Sequence, residues 1–360
     1  MWTVTESSSA GIDERLRRFA HHDVYHTSVF HDYDRSNGYG EICQYWYEDA
    51  RGALFHPFML RRIEQVGRET ISEPLYDVET VKGMAGPLAT SLDPQFLADA
   101  WAGYAQWCCD KGVVAEYVRF NPFVGNIEVG RQFFDTDYYG RIGVVVDLSV
   151  SEEQLWAEQY NVNQRNMIRK AEKLGVVIAL DETDAAYDEF IRLQKDAWRR
   201  LNAQADRHYP ERSLYYLKRA LGPAAPLFVA RLDSKIIAAA VFLTHGDVVH
   251  YQLSARDPEF SKTGAGNQLL HVVALWARER GFKHLHLGAG RTDSAEDELL
   301  RFKRCLSSGR VQYPFGTRRH LPERFADLCE RWARQAPHAA LGKHSMPYRS
   351  ALPQLALKTA

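Results

Sequence analysis

The chain has 360 residues, with 45 Lys and Arg set against 46 Asp and Glu, 45% hydrophobic residues and 25% charged ones. That length supports two cores of ordinary size. A formal net charge of −1 supplies no chain-wide field for a nucleic acid, so any polyanion has to meet a local basic patch.

Five cysteines (Cys43, Cys108, Cys109, Cys305 and Cys329), with no Cys-x-x-Cys pair among them, read as reduced, buried thiols. The N-terminal stretch MWTVTESSSAGIDERLRRFAHHD lacks an apolar segment behind a basic one, so a signal peptide is not expected. The longest purely apolar run, Ile236 to Leu243, is too short to span a bilayer. A cytoplasmic protein is the expectation.

In chain order, residues 1–37 are polar and partly helical. His21, His22, His26 and His31 lack the tight spacing of a metal site and read as histidines on a partly exposed aromatic surface. Gly40–Asp49 and Ala53–Ile63 form a predicted hairpin. YDVETVKGMAGPLATS starts as a strand and becomes a loop at Gly83, Gly86 and Pro87. Asp93–Gly112 is a predicted helix with an Asp cap, Pro94 in its first turn and a terminal glycine. Val113–Pro122 and Tyr139–Leu148 are strands, the second apolar enough for burial on both faces. Ser151 and Gln154 form a capping-box pattern.

The same order then returns. Ala225–Leu232 and Lys235–His245 form a hairpin, followed by the strand Asp247–Ala255, a glycine-opened helix (Gly264–Arg280), and the strand HLHLGA. Strand, strand, strand, helix, strand thus occurs twice, implying two similar α/β domains. A last helix is expected from Pro322 to Gln335.

Three stretches carry candidate chemistry. In SKTGAGNQLL, Gly264 and Gly266 open a helix after a strand, where backbone N–H groups face an anion such as a pyrophosphate; the same glycines also suit an ordinary turn. In RNMIRKAEKLG, Arg165, Arg169 and Lys173 form a cationic stripe beside the apolar face of Met167, Ile168, Ala171 and Leu174, which suits phosphate or plain solvent. In SAEDELLRFKRCL, Lys303 falls at the border of the face made by Leu299, Leu300, Phe302 and Leu306. A lysine there either snorkels or is held inward near a substrate anion. In DVVHYQLSA, alternation places Val249, Tyr251 and Leu253 on one face and His250, Gln252 and Ser254 on the other. His250 or Tyr251 is positioned to line a cleft, and His284 or His286 to act as a base, with nothing to single one out. Nucleophile-elbow, P-loop, HExxH and paired-carboxylate motifs are absent, so hydrolase and kinase readings lack support.

Taken together, RNMIRKAEKLGV, YQLSA, GAGNQLLHVVALWARERGFKHLHLGAG and LLRFK, with YDVETVKGMAGPL and VRFNPF in the first half, resemble the FemABX-type transferases and the wider Gcn5-related N-acyltransferase (GNAT) superfamily. The resemblance spans roughly residues 20–320. It implies an α/β (α+β) fold of two GNAT-like domains in tandem, each a mixed twisted sheet flanked by helices. The expected boundaries are 1–148, 149–320 with the acyl-transfer site, and a C-terminal helix and tail, 321–360, packed on the first domain.

The resemblance places Phe302 and Lys303 at the acyl-transfer site, and associates Arg165 and Arg169 with a phosphate-bearing substrate. It implies an aminoacyltransferase that takes its aminoacyl group from aminoacyl-tRNA and forms an amide on an amine acceptor, with no cofactor and no metal. Two departures qualify it: Ser261 stands where the GNAT pyrophosphate loop usually has Gln or Arg, and the long coiled-coil arm of some tRNA-using members is missing. An acyl-CoA-dependent N-acetyltransferase, with Gly264 and Gly266 on the pyrophosphate, is the second reading; under either enzyme reading Tyr251 lines the substrate cleft with Lys303 and Arg165. A non-catalytic binding module is the third.

Overall fold

The computed structural model describes residues 1–200, 211–292, 294, 296–337 and 346–352. In chain order the main elements are β1 (Trp2–Glu6), α1 (Ile12–Leu16), α2 (Ser28–Ser36), β2 (Glu41–Asp49), β3 (Gly52–Arg62), β4 (Tyr76–Glu79), α3 (Pro94–Lys111), β5 (Val113–Arg119) and β6 (Asp135–Asp147). There follow α4 (Val162–Lys173), β7 (Val177–Leu180), α5 (Asp184–Arg200), α6 (Glu211–Leu221), β8 (Leu227–Leu232), β9 (Lys235–His245), β10 (Val248–Arg256), α7 (Ala265–Glu279), β11 (His284–Gly288), α8 (Glu298–Arg304), β12 (Arg310–Arg319) and α9 (Pro322–Gln335). No helix among the described residues is long and apolar enough to cross a membrane.

The chain divides into two units, Met1–Tyr138 with Pro314–Ala360, and Tyr139–Tyr313. The first division falls ten residues before the expected 148/149 boundary. It falls there because the apolar half of β6 pairs with β11 and belongs to the second core. The second falls within β12, ahead of the expected 320, since Phe315–Arg319 pair with Arg119–Ala115 of β5.

In the first unit β1, β2, β3 and β4 run antiparallel to their neighbours, β4 and β5 run parallel, and β12 closes the order antiparallel to β5. A parallel pair needs a crossover, and α3 supplies it. Its ends are those the sequence marks: Asp93 accepts the Phe96 amide at 2.7 Å, and Gly112 takes the left-handed conformation at φ 83°.

The core between α3 and the sheet holds a buried carboxylate. The two Glu116 oxygens lie 2.8 Å from His56 Nε2 and 3.0 Å from His320 Nε2, and the Tyr104 hydroxyl donates to Glu116 at 3.0 Å. Burial alone would raise this carboxyl, but the His320 and His56 hydrogen bonds outweigh it and hold it at about 2. Cys108, Glu116 and His320 bring metal-binding atom types within 4.8 Å of one another. Each Glu116 oxygen is nevertheless already at hydrogen-bond distance from a donor, so protons close the network.

His26 and His31, expected on a partly exposed surface, are both fully buried. His26 Nδ1 accepts the Asp23 amide at 3.0 Å, and His31 Nδ1 lies 2.9 Å from the Thr27 carbonyl. A reciprocal Asp23–His26 cap at this turn explains why one of these histidines folds inward.

In the second unit the sheet order is β6, β11, β10, β9, β8, β7. All pairs are antiparallel except β10 with β11, which α7 connects. The parallel ladder has three pairs, Val248 with His284, Val249 with Leu285 and His250 with His286. Beyond it β10 runs on beside β9, while β11 ends at Gly288. A register shift on β10 makes Gln252 a bulge residue, because Val241 pairs with Leu253 and Phe242 with Tyr251. The bulge overturns the simple alternation. Val249 and Tyr251 pack in the core under α4 and α7, whereas Leu253 and Ala255 pack on the opposite face with α5.

Helices α4 and α7 cross closely. Gln164 and Asn267 exchange hydrogen bonds, Nε2 to the Asn267 carbonyl at 3.1 Å and Asn267 Nδ2 to Gln164 Oε1 at 2.6 Å. Gly264, at φ +85°, caps α7, and a Cβ there would overlap the Met167 carbonyl of α4. A Cβ at Gly266 would meet only Phe302, at 3.7 Å.

Two predictions follow from this packing. Burial holds His26 at about 3 and His31 at about 4, both below the ordinary histidine value, so the unfolded chain binds their protons first and stability falls with acidification below about pH 6.5. Buried Asp34 is pushed up to about 7, so it opposes them over the same range. Taken by themselves, these three groups contribute a slope of one proton, about 1.4 kcal/mol per pH unit between about pH 6 and 4.5, to which His22 and His271, also lowered by burial, add in the same direction. Asp34→Asn should steepen it toward twice that, measured by urea unfolding across this range. Separately, Gly264→Ala should lower stability by about 2 kcal/mol or more through positive φ and overlap, and Gly266→Ala by well under that, measured by thermal melting.

Candidate active site

The end of the short parallel ladder gathers the candidate residues of the second unit. Strand β10 leads into the turn that opens α7, and β11 leads into the loop that opens α8. The start of α7, the strand ends and α8 therefore share one end of the β10–α7–β11 crossover, the usual place for a ligand in such a unit.

Lys303 is held there by three restraints. Asp297 caps α8, accepting the Leu300 amide at 3.0 Å with one oxygen. Its other oxygen takes the Arg291 and Thr292 amides at 3.0 and 2.9 Å, tying the loop after β11 to the helix. Leu300 and Leu306 anchor the helix in the core. Lys303 is left 6% exposed, and its Nζ donates to the Ala289 carbonyl at 2.7 Å. Gly288, at φ 76°, brings the strand end against this ammonium; a Cβ there would lie 3.4 Å from Nζ. The Tyr251 ring centre is 6.0 Å from Nζ.

Burial lowers Lys303 to about 8, with Arg291 adding to the effect and Asp297 opposing it. Lys303 is therefore a mostly dry cation with one hydrogen bond spent on backbone and two N–H groups left to give. Such a group stabilises negative charge strongly, because it starts poorly solvated. Phe302, on the same helix, packs on the second core and faces Gly266.

The two glycines differ in what they do. Gly264 makes its close approach to the chain's own α4 backbone. The Gly266 and Asn267 amides have no acceptor among the described residues, and the Ala265 amide is taken by Thr263 Oγ1 at 3.3 Å.

The basic stripe on α4 is also divided. Arg165 Nη1 donates to the Trp156 carbonyl at 3.1 Å and to that of Tyr160, closing the preceding π-helical turn. Arg169 lies over the Trp156 ring at 5.3 Å, and Lys170 and Lys173 are exposed. Leu174, placed on the apolar face by its spacing, is 46% exposed, so that face ends at Ala171.

One arrangement was out of reach of the sequence. His250 Nδ1 and His286 Nδ1 lie 3.0 Å apart at the last pair of the ladder, and His286 Nε2 lies 2.6 Å from the Tyr313 hydroxyl. The histidines are 1% and 7% exposed. The strand holding Tyr313 was not anticipated, and the pairing depends on the register of strands 36 residues apart.

Comparison with known proteins agrees with this architecture. Residues 161–304 match the family model of the acetyltransferase (GNAT) domain. No curated protein sequence matches the chain. Among solved structures, FemX is similar at 11% identity and TM-score 0.63, over 87% of this chain and 96% of FemX. The C-terminal domain of a putative lysylphosphatidylglycerol synthetase from Agrobacterium fabrum is similar at 14% identity and TM-score 0.56, over 91% and 97%. L-PGS from Bacillus licheniformis is similar at 12% identity and TM-score 0.52, over 86% and 92%. Residues 161–304 of the second unit thus match a GNAT acetyltransferase domain, and the chain as a whole shares its fold with FemX.

Proposed function

We propose that the chain moves an aminoacyl group from aminoacyl-tRNA to an amine and so forms an amide. The observation that carries this reading is the buried Lys303 ammonium at the end of the parallel ladder. Attack of an amine on an ester places negative charge on the carbonyl oxygen. Lys303, with two N–H groups free of the Ala289 bond, meets that charge, and Phe302 forms a wall of the site. The site holds both reactants in place, which supplies much of the rate.

The choice of donor rests on what the glycine turn does. Gly264 is committed to packing against Met167, which removes one of the two contacts a pyrophosphate would use. The exposed Lys170 and Lys173, with Arg169 nearby on the same helix, suit the phosphates of an RNA 3′ end better than a single pyrophosphate. Arg165 supports that surface by fixing the turn before α4. One neighbour is named a putative lysylphosphatidylglycerol synthetase, and the sequence resembles FemABX transferases; both agree with an aminoacyl donor.

An acyl-CoA donor is the second reading. The open Gly266 and Asn267 amides favour it, as does the match to an acetyltransferase model.

The test supplies labelled aminoacyl-tRNAs and labelled acetyl-CoA, each with a panel of primary amines. The expected outcome is consumption of an aminoacyl-tRNA and labelled amide. Consumption of acetyl-CoA alone would replace the first reading by the second. Lys303→Ala should lower the rate about 10²–10³-fold with unchanged circular dichroism. Activity within a few-fold of the unaltered protein would remove Lys303 from the site.

A further inference from the structure

We propose that Tyr313, His286 and His250 form the proton-accepting relay for acyl transfer, with Tyr313 as the group that meets the acceptor amine. This rests on the acyl-transfer reading of the same site.

Val249, Leu285 and Leu287 point into the core under α7, on the side from which α8 supplies Lys303. His250 and His286 fall on the opposite face, at the last pair before β10 and β11 part. An acyl carbonyl lodged where the strands part has the ammonium on one side and the histidine pair on the other. Attack on a carbonyl needs this division, with positive charge at the oxygen and a base on the nucleophile's side.

The distances define a chain of protons. Two Nδ1 atoms 3.0 Å apart share one hydrogen, so one ring donates and the other accepts. With His286 Nδ1–H donating to His250, His286 Nε2 is the acceptor for the Tyr313 hydroxyl at 2.6 Å. Tyr313 is only partly buried and is the outer end of the chain. Its hydroxyl lies against Gly143 of β6, where a Cβ would overlap it. Burial keeps the phenol protonated, well above the ordinary tyrosine range, so it passes protons on instead of resting as an anion.

The amine nitrogen attacks the ester carbon, the N–C bond forms and the C–O bond breaks. The amine proton passes to Tyr313 Oη as the phenol proton moves to His286 Nε2 and the His286 Nδ1 proton moves to His250. The departing ribose oxygen takes a proton from the Lys303 ammonium, and solvent returns the relay and the lysine to their starting states. Ester and amine become amide and alcohol.

The test compares Tyr313→Phe, His286→Gln and Gly143→Ala with the unaltered protein, using a primary alkylamine and hydroxylamine as acceptors. Hydroxylamine is a strong nucleophile that is neutral near pH 7 and depends little on a base. The relay predicts a loss of about 10²-fold or more in kcat with the alkylamine and only a few-fold with hydroxylamine. Equal losses with both acceptors in folded variants would mean a structural role and overturn the proposal.

A second readout needs no activity. Nitrogen-15 spectra of the imidazoles should show Tyr313→Phe shifting both His286 and His250. A response confined to His286, or none, would break the chain. If the unaltered protein consumes neither donor, the proposed function falls, while the spectra still decide whether the relay exists.

Discussion

The second unit depends on a parallel ladder that stops after three pairs. Two parallel strands joined by a helix must part somewhere, and here the bulge at Gln252 fixes the place. Before it, Val249 and Tyr251 share a core with α7; after it, Leu253 and Ala255 share a core with α5. The strand thus serves two cores on opposite faces, and the change of face opens the sheet. Backbone at such a point has lost its neighbour and is left to side chains or ligand. Lys303 fills one such need by bonding Ala289.

Placing a lysine there is costly. A dry ammonium loses hydration, and one hydrogen bond does not replace it, which is why Lys303 is lowered toward neutrality. The chain spends further structure on the arrangement: Asp297 takes four hydrogen bonds from Arg291, Thr292 and Leu300, fixing the loop and helix between which the lysine sits. A snorkelling lysine would need none of this. The first unit has its own parallel pair and crossover helix, and it buries a charge differently. Glu116 is met by two histidines and a tyrosine, with a hydrogen-bond partner on each carboxylate oxygen. One unit has a satisfied charge and the other an unsatisfied one, and only the unsatisfied charge offers chemistry.

Much of the fold was legible because it is local. Asp93 and Gly112 bound α3 by cap chemistry, and Ser151 with Gln154 makes both bonds of its capping box. Gly264 marked the start of α7, but spacing could not tell a glycine that admits an anion from one that admits Met167 of a neighbouring helix. Lys303 was legible as a lysine at the edge of an apolar face. The bulge was not, since apolar and polar residues alternate through Gln252 without a break. Helices α5 and α6 were missed because abundant charge masks a narrow stripe of Tyr187, Phe190, Ile191 and Leu214. The Asp23–His26 cap is local but was not read as one, whereas the His250–His286–Tyr313 chain arises from tertiary register, which no window of sequence contains.

The central claim is that Lys303 acts on the reacting carbonyl and not on the phosphates of the donor. Single-turnover transfer by Lys303→Gln, alongside equilibrium binding of the donor, separates the two most directly. A fall in the chemical rate at unchanged donor affinity is the predicted result. A weakened donor affinity at an unchanged rate would contradict the account and move Lys303 to the binding surface.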